Sequence, residues 1–160
     1  KGLRDMGATL SSDAAHRISV GAETLPLRMH KACDNASRLA HFLAQHPRVT
    51  AVKYPGLSSH PQHERAQQLF NGQFGALLAV ELAADIDVFD FLNRLRVVAL
   101  ATHLGDTRSL TLPVAHTIYY EMGAEQRALM GIADNLLRIS IGIEDYADLE
   151  GDFSQALEQG

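Results

Sequence analysis

The sequence has little of what several classes of protein require. Its one cysteine, Cys33, excludes an intramolecular disulfide and any metal site built from several cysteines, and such sparing use is typical of a reducing compartment. No apolar run approaches the roughly 20 residues that cross a bilayer. No dense run of Lys or Arg favours nucleic acid or an anionic membrane as a partner. We therefore expect a cytoplasmic protein with neither kind of partner.

Motifs for several kinds of catalysis are also missing. The chain has no G-x-S-x-G elbow, no Walker loop and no G-x-G-x-x-G. His60 and His63 are three residues apart, and we interpret them as a polar helix face rather than as metal ligands. Cys33 lies in an amphipathic pattern without an activating partner, which favours a packed thiol over a nucleophile. We predict no metal site.

What is present is the composition of one folded domain. The 160 residues are 46% apolar and 21% charged with a formal net charge of -5, which allows a real core and does not indicate disorder. Residues 1–26 are small and polar, and we expect them to pack against something outside the chain. The start has no initiator Met and no apolar core of a signal peptide, which is compatible with a start inside a longer protein.

Apolar periodicity predicts alternating helices and strands. A 3.6-residue period predicts a long helix over 27–46, and further helices are predicted over 60–70 with Ser59 as cap, over 85–94 with Asp85 as cap, over 121–130, and from 144 onwards. Strands are predicted over 49–54, 75–82, 97–100, 109–112 and 135–141. This order predicts an α+β fold in which a small, mostly antiparallel sheet has helices packed on one face.

Arg138 is the residue that least fits its surroundings, because it interrupts the apolar strand L-L-R-I-S-I. Its guanidinium must either reach an edge or meet a partner. An arginine in such a place is suited to bidentate binding of a carboxylate. An internal salt bridge to Glu144 or Asp145 is the alternative, and spacing alone favours the salt bridge.

Four segments of the chain follow one another in a distinctive order. They are E-T-L-P-L-R-M at 23–29, V-K-Y-P-G-L-S-S-H-P-Q-H at 52–63, F-G-A-L-L-A-V-E-L at 74–82 and L-L-R-I-S-I-G-I-E-D at 136–145. They resemble the C-terminal part of the Cys/Met-metabolism pyridoxal-phosphate enzymes, which include cystathionine synthases and lyases, methionine γ-lyase and acyl-homoserine sulfhydrylases. The resemblance implies a fold-type I enzyme, usually a homotetramer. Residues 27–160 would be its small C-terminal domain, and residues 1–26 would connect it to a cofactor domain that this sequence lacks.

The resemblance also implies roles for individual residues. Arg138 matches the family's arginine for the substrate α-carboxylate, which reverses the preference for a salt bridge. His103, Leu104 and Arg108 fall in the family's active-site stretch and would lie at the substrate pocket. Pyridoxal 5'-phosphate would be the cofactor of the whole protein, with its Schiff-base lysine upstream of this chain. None of the three lysines matches a family cofactor residue, so the chain would contain no catalytic or cofactor-binding residue (Lys1, Lys31, Lys53).

Departures from the family pattern guide the choice of reaction. His103 stands where many members have Ser, and Arg108 stands where the cystathionine enzymes and methionine γ-lyase have Glu. With Asp106, Arg108 is more similar to the sulfhydrylase branch, so we predict an O-acylhomoserine sulfhydrylase that replaces the acyl group at Cγ. L-P-V-A-H-T-I at 112–118 lacks the flanking histidines of the family segment. A γ- or β-lyase is the nearest alternative, and a stand-alone α+β binding module is an alternative from another class.

Overall fold

A computed structural model describes residues 2–7 and 9–158. Within these residues the chain forms seven helices and five strands. They are α1 Gly2–Asp5, α2 Ser12–Glu23, α3 Leu25–Ala44, β1 Val49–Lys53, α4 His63–Phe70, β2 Leu77–Leu82, α5 Val88–Arg94, β3 Ala99–Leu100, β4 Leu110–Pro113, α6 Ala124–Leu129, β5 Leu136–Ser140 and α7 Tyr146–Glu158. No helix of these residues is long and apolar enough to cross a bilayer.

The five strands form one sheet in the order β1-β2-β5-β4-β3. All neighbours are antiparallel except β3 and β4, which run parallel. The mostly antiparallel sheet predicted from the sequence is therefore confirmed. The most apolar strand, β5, lies at the centre, where Arg138 pairs with Ala79 on one side and with Leu112 on the other.

One face of the sheet carries the main core. Leu78, Val80, Leu137 and Ile139 point to this face and are at most 3% exposed. They pack in one cluster with apolar residues of α3, α5 and α7. Side chains alternate along a strand, so every second residue of β2 and β5 is buried under these helices. The prediction of helices on one face is confirmed.

The opposite face is only partly covered. Leu112 and Leu136 are buried there in a smaller cluster with residues from the connection between β4 and β5. Leu77, at the start of β2, remains 43% exposed. Arg138 and Ser140 belong to this face, because they alternate with the core residues of β5. The sheet thus presents a guanidinium on its less covered side.

Residues 12–23 form a helix that the sequence analysis did not predict. The Ser11 hydroxyl accepts a hydrogen bond from the Ala14 amide and caps α2. No residue of α2 is buried, and Ile18 and Val20 are 62% and 49% exposed. The helix escaped prediction because its sequence is small and polar, although Ala and Arg favour helix. Since α3 begins at Leu25, the predicted boundary after residue 26 falls inside a helix.

Three predicted helix starts were wrong, and the helix predicted from residue 121 begins at Ala124. The helix predicted from His60 begins at His63, because residues 54–63 form successive turns, and Ser59 does not cap it. The cap of α5 is Asp87 rather than Asp85, since one oxygen of Asp87 accepts hydrogen bonds from two amides of the first turn at 2.8 and 2.9 Å. Asp85 instead faces Arg48 at 3.4 Å.

Asp152 ties α7 to the segment between α5 and β3. Its carboxylate is 5% exposed and accepts hydrogen bonds from three consecutive backbone amides, at 2.8, 2.9 and 3.0 Å, of Arg96, Val97 and Val98. Removing the Asp152 carboxylate would leave three backbone amides without this acceptor, and the Val98 amide among them is buried.

We predict that Asp152→Ala lowers the free energy of unfolding by about 3 kcal/mol, because three amides lose their acceptor. Urea denaturation followed by circular dichroism measures the change. Asp148→Ala is the matched control, because Asp148 lies exposed on the same helix and should cost less than about 1 kcal/mol. Equal losses in the two variants would contradict this account of Asp152.

Candidate functional site

The guanidinium of Arg138 lies against the loop that follows β3. Its Nη2 donates hydrogen bonds to the backbone carbonyls of Thr102 and His103 at 2.8 and 3.1 Å. No carboxylate of residues 2–7 and 9–158 forms an ion pair with it. Its Nε is buried and finds no acceptor among the same residues. Both hydrogen bonds use Nη2, so Nη1 keeps its donors for another acceptor.

The salt bridge considered from the sequence does not form. The Glu144 carboxylate accepts hydrogen bonds from the amide and, at 2.8 Å, from the hydroxyl of Ser109. Asp145 accepts one at 3.0 Å from the Ala147 amide at the start of α7. Both carboxylates that could have paired with Arg138 are therefore used elsewhere.

Residues 102–109, which we call the pocket loop, are bound along their length by β5 and the residues that follow it. The Gly105 amide donates to the Ser140 hydroxyl, and the Ile143 amide donates to the Thr107 carbonyl, both at 2.9 Å. Gly105 has φ +75°, a conformation that favours glycine. The loop therefore has a defined conformation beside the sheet.

Asn35 of the long helix α3 holds the other side of the same segment. It is fully buried, and its Nδ2 donates to the carbonyls of Gly142 and Glu144 at 3.1 and 2.9 Å. The core helix, the end of β5 and the pocket loop are thus connected by hydrogen bonds through residues 142–144.

The structure places the predicted pocket residues in two groups. His103 contacts Arg138 through its backbone carbonyl. Leu104 is 56% exposed and lines an apolar pocket of about 240 Å³ together with Leu77, Ile143 and residues of α3. Arg108 lies at the other end of the loop, exposed, and its Nη2 is 3.7 Å from Asp106. Arg108 does not line the apolar pocket, and the role of each residue stays a prediction.

Asp106 is stabilised as a carboxylate by its own loop. The backbone amide of Arg108 donates a hydrogen bond to it, and the Thr107 hydroxyl and the Arg108 charge add to this effect. These contacts lower the pKa of the Asp106 carboxyl below its usual value. The loop therefore keeps one negative charge beside Arg108 at neutral pH.

The described residues do not by themselves fit a cofactor. Lys31 lies on α3 and Lys53 ends the edge strand β1, and neither lines the apolar pocket. No group of three His, Cys, Asp or Glu residues within this part of the chain could hold a metal ion. Cys33 is buried in α3, and burial raises the pKa of its thiol.

Comparison with known proteins defines the class. Residues 2–158 match the family described as Cys/Met metabolism PLP-dependent enzyme, and the chain belongs to this family. The match covers nearly all of the chain, which favours an enzyme over a stand-alone binding module.

Individual relatives carry several activities. The chain is 37% identical to O-acetyl-L-homoserine sulfhydrylase 1 of Thermus thermophilus, over 98% of the chain and 37% of that protein. It is 42% identical to L-methionine gamma-lyase of Pseudomonas putida, over 99% of the chain and 40% of that protein. The solved cystathionine gamma-lyase of Micromonospora echinospora superposes with a TM-score of 0.90 at 32% identity, over 99% of the chain and 41% of that structure. The chain spans about two fifths of the length of these relatives.

Sequence reasoning missed the residues that hold the site in place. Ser109, Asn35 and Ser140 were not singled out, and Glu144 was considered only as a partner of Arg138. One signal was available, because Arg138, Ser140 and Glu144 are separated by two and by four residues within one segment. The partners of that segment are 33 to 109 residues away, and no local pattern reveals them.

Gly142 allows the pocket loop to approach β5. A Cβ at this position would lie 2.6 Å from the carbonyl carbon of Arg108 and 2.7 Å from Glu144 Oε2. We predict that Gly142→Ala lowers the free energy of unfolding by about 3 kcal/mol, because backbone must move to make room. Gly151→Ala is the control, since its Cβ would meet nothing within 4 Å on helix α7, and it should stabilise by about 0.5 kcal/mol. Urea denaturation tests both, and tolerance of Gly142→Ala would disprove the close approach.

Proposed function

We propose that this chain is the C-terminal, substrate-side domain of an O-acylhomoserine sulfhydrylase in sulfur amino acid metabolism. The whole protein would replace the acyl group at Cγ of the amino acid by sulfide or a thiol. Pyridoxal 5'-phosphate, bound by the rest of the protein, would act as the electron sink. The contribution of this chain is to bind and orient the amino acid, which can supply several kcal/mol of a reaction barrier.

The observation that carries the proposal is the state of Arg138. It lies half-buried on the less covered face of the sheet, without an ion-pair partner among the described residues. Its Nη2 is held by two loop carbonyls, which fixes the guanidinium plane. A permanently charged group that lacks a protein carboxylate favours an anionic ligand such as the α-carboxylate of an amino acid, and Nη1 has the donors to bind it.

The choice of sulfhydrylase rests on the pocket loop. Asp106 and Arg108 resemble the sulfhydrylase branch, and their side chains lie 3.7 Å apart. Identity does not decide the question, since a methionine γ-lyase and a sulfhydrylase match to similar extents. The lyase is therefore the outcome that the assay below must exclude.

Exposed apolar residues support a larger assembly. Ile18, Val20, Leu25 and Leu27 lie on α2 and the start of α3, and each is at least 46% exposed. We propose that this surface packs against the cofactor domain of the same protein and against neighbouring subunits, in a homotetramer. The single cysteine, buried in α3, is consistent with a cytoplasmic location.

We predict that Arg138→Leu in the full-length protein raises KM for the amino acid substrate about a hundredfold, because a charge-assisted contact worth about 3 kcal/mol is lost. Steady-state kinetics measure the effect. Arg138→Lys should recover only part of it, since an ammonium lacks the planar fork. Arg65→Leu, which removes an exposed arginine of α4, is the control. Unchanged kinetics in Arg138→Leu would rule out the carboxylate contact.

The reaction type is tested on the full-length wild-type protein. We expect homocysteine to form from an O-acylhomoserine only when sulfide is supplied, at a rate roughly tenfold or more above 2-oxo acid release from methionine or cystathionine. The two products are quantified side by side at equal enzyme concentration. Faster 2-oxo acid release without sulfide would identify a lyase instead.

A further inference from the structure

Ser109 is the point at which the pocket loop enters β4. It is fully buried, and its carbonyl accepts a hydrogen bond from the Ala99 amide of β3 at 3.0 Å. Its hydroxyl donates to Glu144 at 2.8 Å and accepts from the Gly142 amide at 2.9 Å. The hydroxyl of Ser109 therefore has both a donor and an acceptor in the segment that follows β5. These contacts set the position of Ser109.

Glu144 supplies the charged part of this arrangement. Its two carboxylate oxygens accept from the amide and the hydroxyl of Ser109, one each. Hydrogen bonds to a charged acceptor are roughly twice as strong as those between neutral groups. Asn35 holds the backbone of Glu144 by donating a hydrogen bond to its carbonyl at 2.9 Å. The residue whose carboxylate binds the pocket loop is therefore itself held by helix α3.

The other end of the pocket loop is held by Arg138 itself. Nη2 donates to the carbonyls of Thr102 and His103, so the loop determines which way the guanidinium faces. An arginine side chain loses rotamer entropy when it binds a ligand, unless the side chain is already ordered. If the pocket loop were released at Ser109, the carbonyls of Thr102 and His103 would no longer hold Arg138. The Arg138 side chain would then regain its rotamer freedom.

We propose that Glu144 is a positioning residue for substrate recognition: it holds Ser109, and through the pocket loop it keeps the Arg138 guanidinium oriented for the amino acid carboxylate. This inference rests on the proposed function of Arg138. Glu144 touches neither the substrate nor the cofactor, and it acts entirely through the loop. It accounts for a half-buried carboxylate that binds Ser109, at the start of β4, rather than Arg138.

The test compares Glu144→Ala, Glu144→Gln and the exposed-carboxylate control Glu125→Ala in the full-length protein. We expect Glu144→Ala to raise KM for the amino acid about tenfold, which corresponds to about 1.4 kcal/mol, with kcat changed less than about threefold. Glu144→Gln should show a smaller rise because its amide oxygen can still accept from the Ser109 amide. Glu125→Ala should leave both constants unchanged.

Hydrogen exchange followed by mass spectrometry supplies a readout that does not depend on activity. In Glu144→Ala, peptides covering residues 102–109 should exchange about tenfold faster or more, while peptides of β1 and β2 should not change. Exchange of the loop at the wild-type rate would overturn the proposal. Faster exchange with an unchanged KM would overturn it as well.

Two further variants separate this proposal from the proposed function. If Arg138→Leu raises KM and Glu144→Ala does not, the positioning role is wrong and the carboxylate contact stands. If Arg138→Leu leaves KM unchanged, the proposed function fails, and the positioning role fails with it. Should Glu144→Ala not fold, Ser109→Ala carries the test, because it removes the hydroxyl contacts with Glu144 and Gly142 and keeps the amide contact with Glu144. We expect it to raise KM about threefold, and wild-type kinetics with wild-type loop exchange would overturn the proposal.

Discussion

The central position of β5 is the constraint on which the rest of the molecule depends. Hydrogen-bonded neighbours on both sides fix its register, with Arg138 between Ala79 and Leu112. Leu137 and Ile139 fill the core under the helices, so the residues between them must face the other side. A slip of one residue would place a guanidinium in the apolar core, which makes any other register costly.

From this strand the chain builds the candidate site by extending the same contacts past its end. Residues 140–144 bind the pocket loop on one side, and Asn35 of α3 binds them on the other. The loop, the strand and the core helix are therefore joined by hydrogen bonds, and Arg138 lies on the strand of this group. Rigid elements of this kind hold a binding group more accurately than a free loop would.

The surfaces left open agree with the position of the chain in its family. It belongs to the Cys/Met metabolism PLP-dependent enzymes, and it spans about two fifths of the length of its relatives. In the part of the chain that the structure describes, Arg138 has no carboxylate partner and α2 has no buried residue. Both are accounted for by the proposal that the amino acid, the cofactor domain and further subunits complete these surfaces.

The sequence by itself determined the α+β class, the strands that meet at the sheet centre and the family. It also singled out Arg138 as the candidate binding residue. Periodic burial sets local structure, and a charge inside an apolar strand is visible in any reading of the chain. The helix over residues 12–23 was missed because it has no buried face to generate a pattern. Only the tertiary structure decided that Glu144 binds Ser109 and that Arg138 binds the loop carbonyls. These partners are 35 or 36 residues apart along the chain, and they meet because β3, β4 and β5 lie side by side in one sheet.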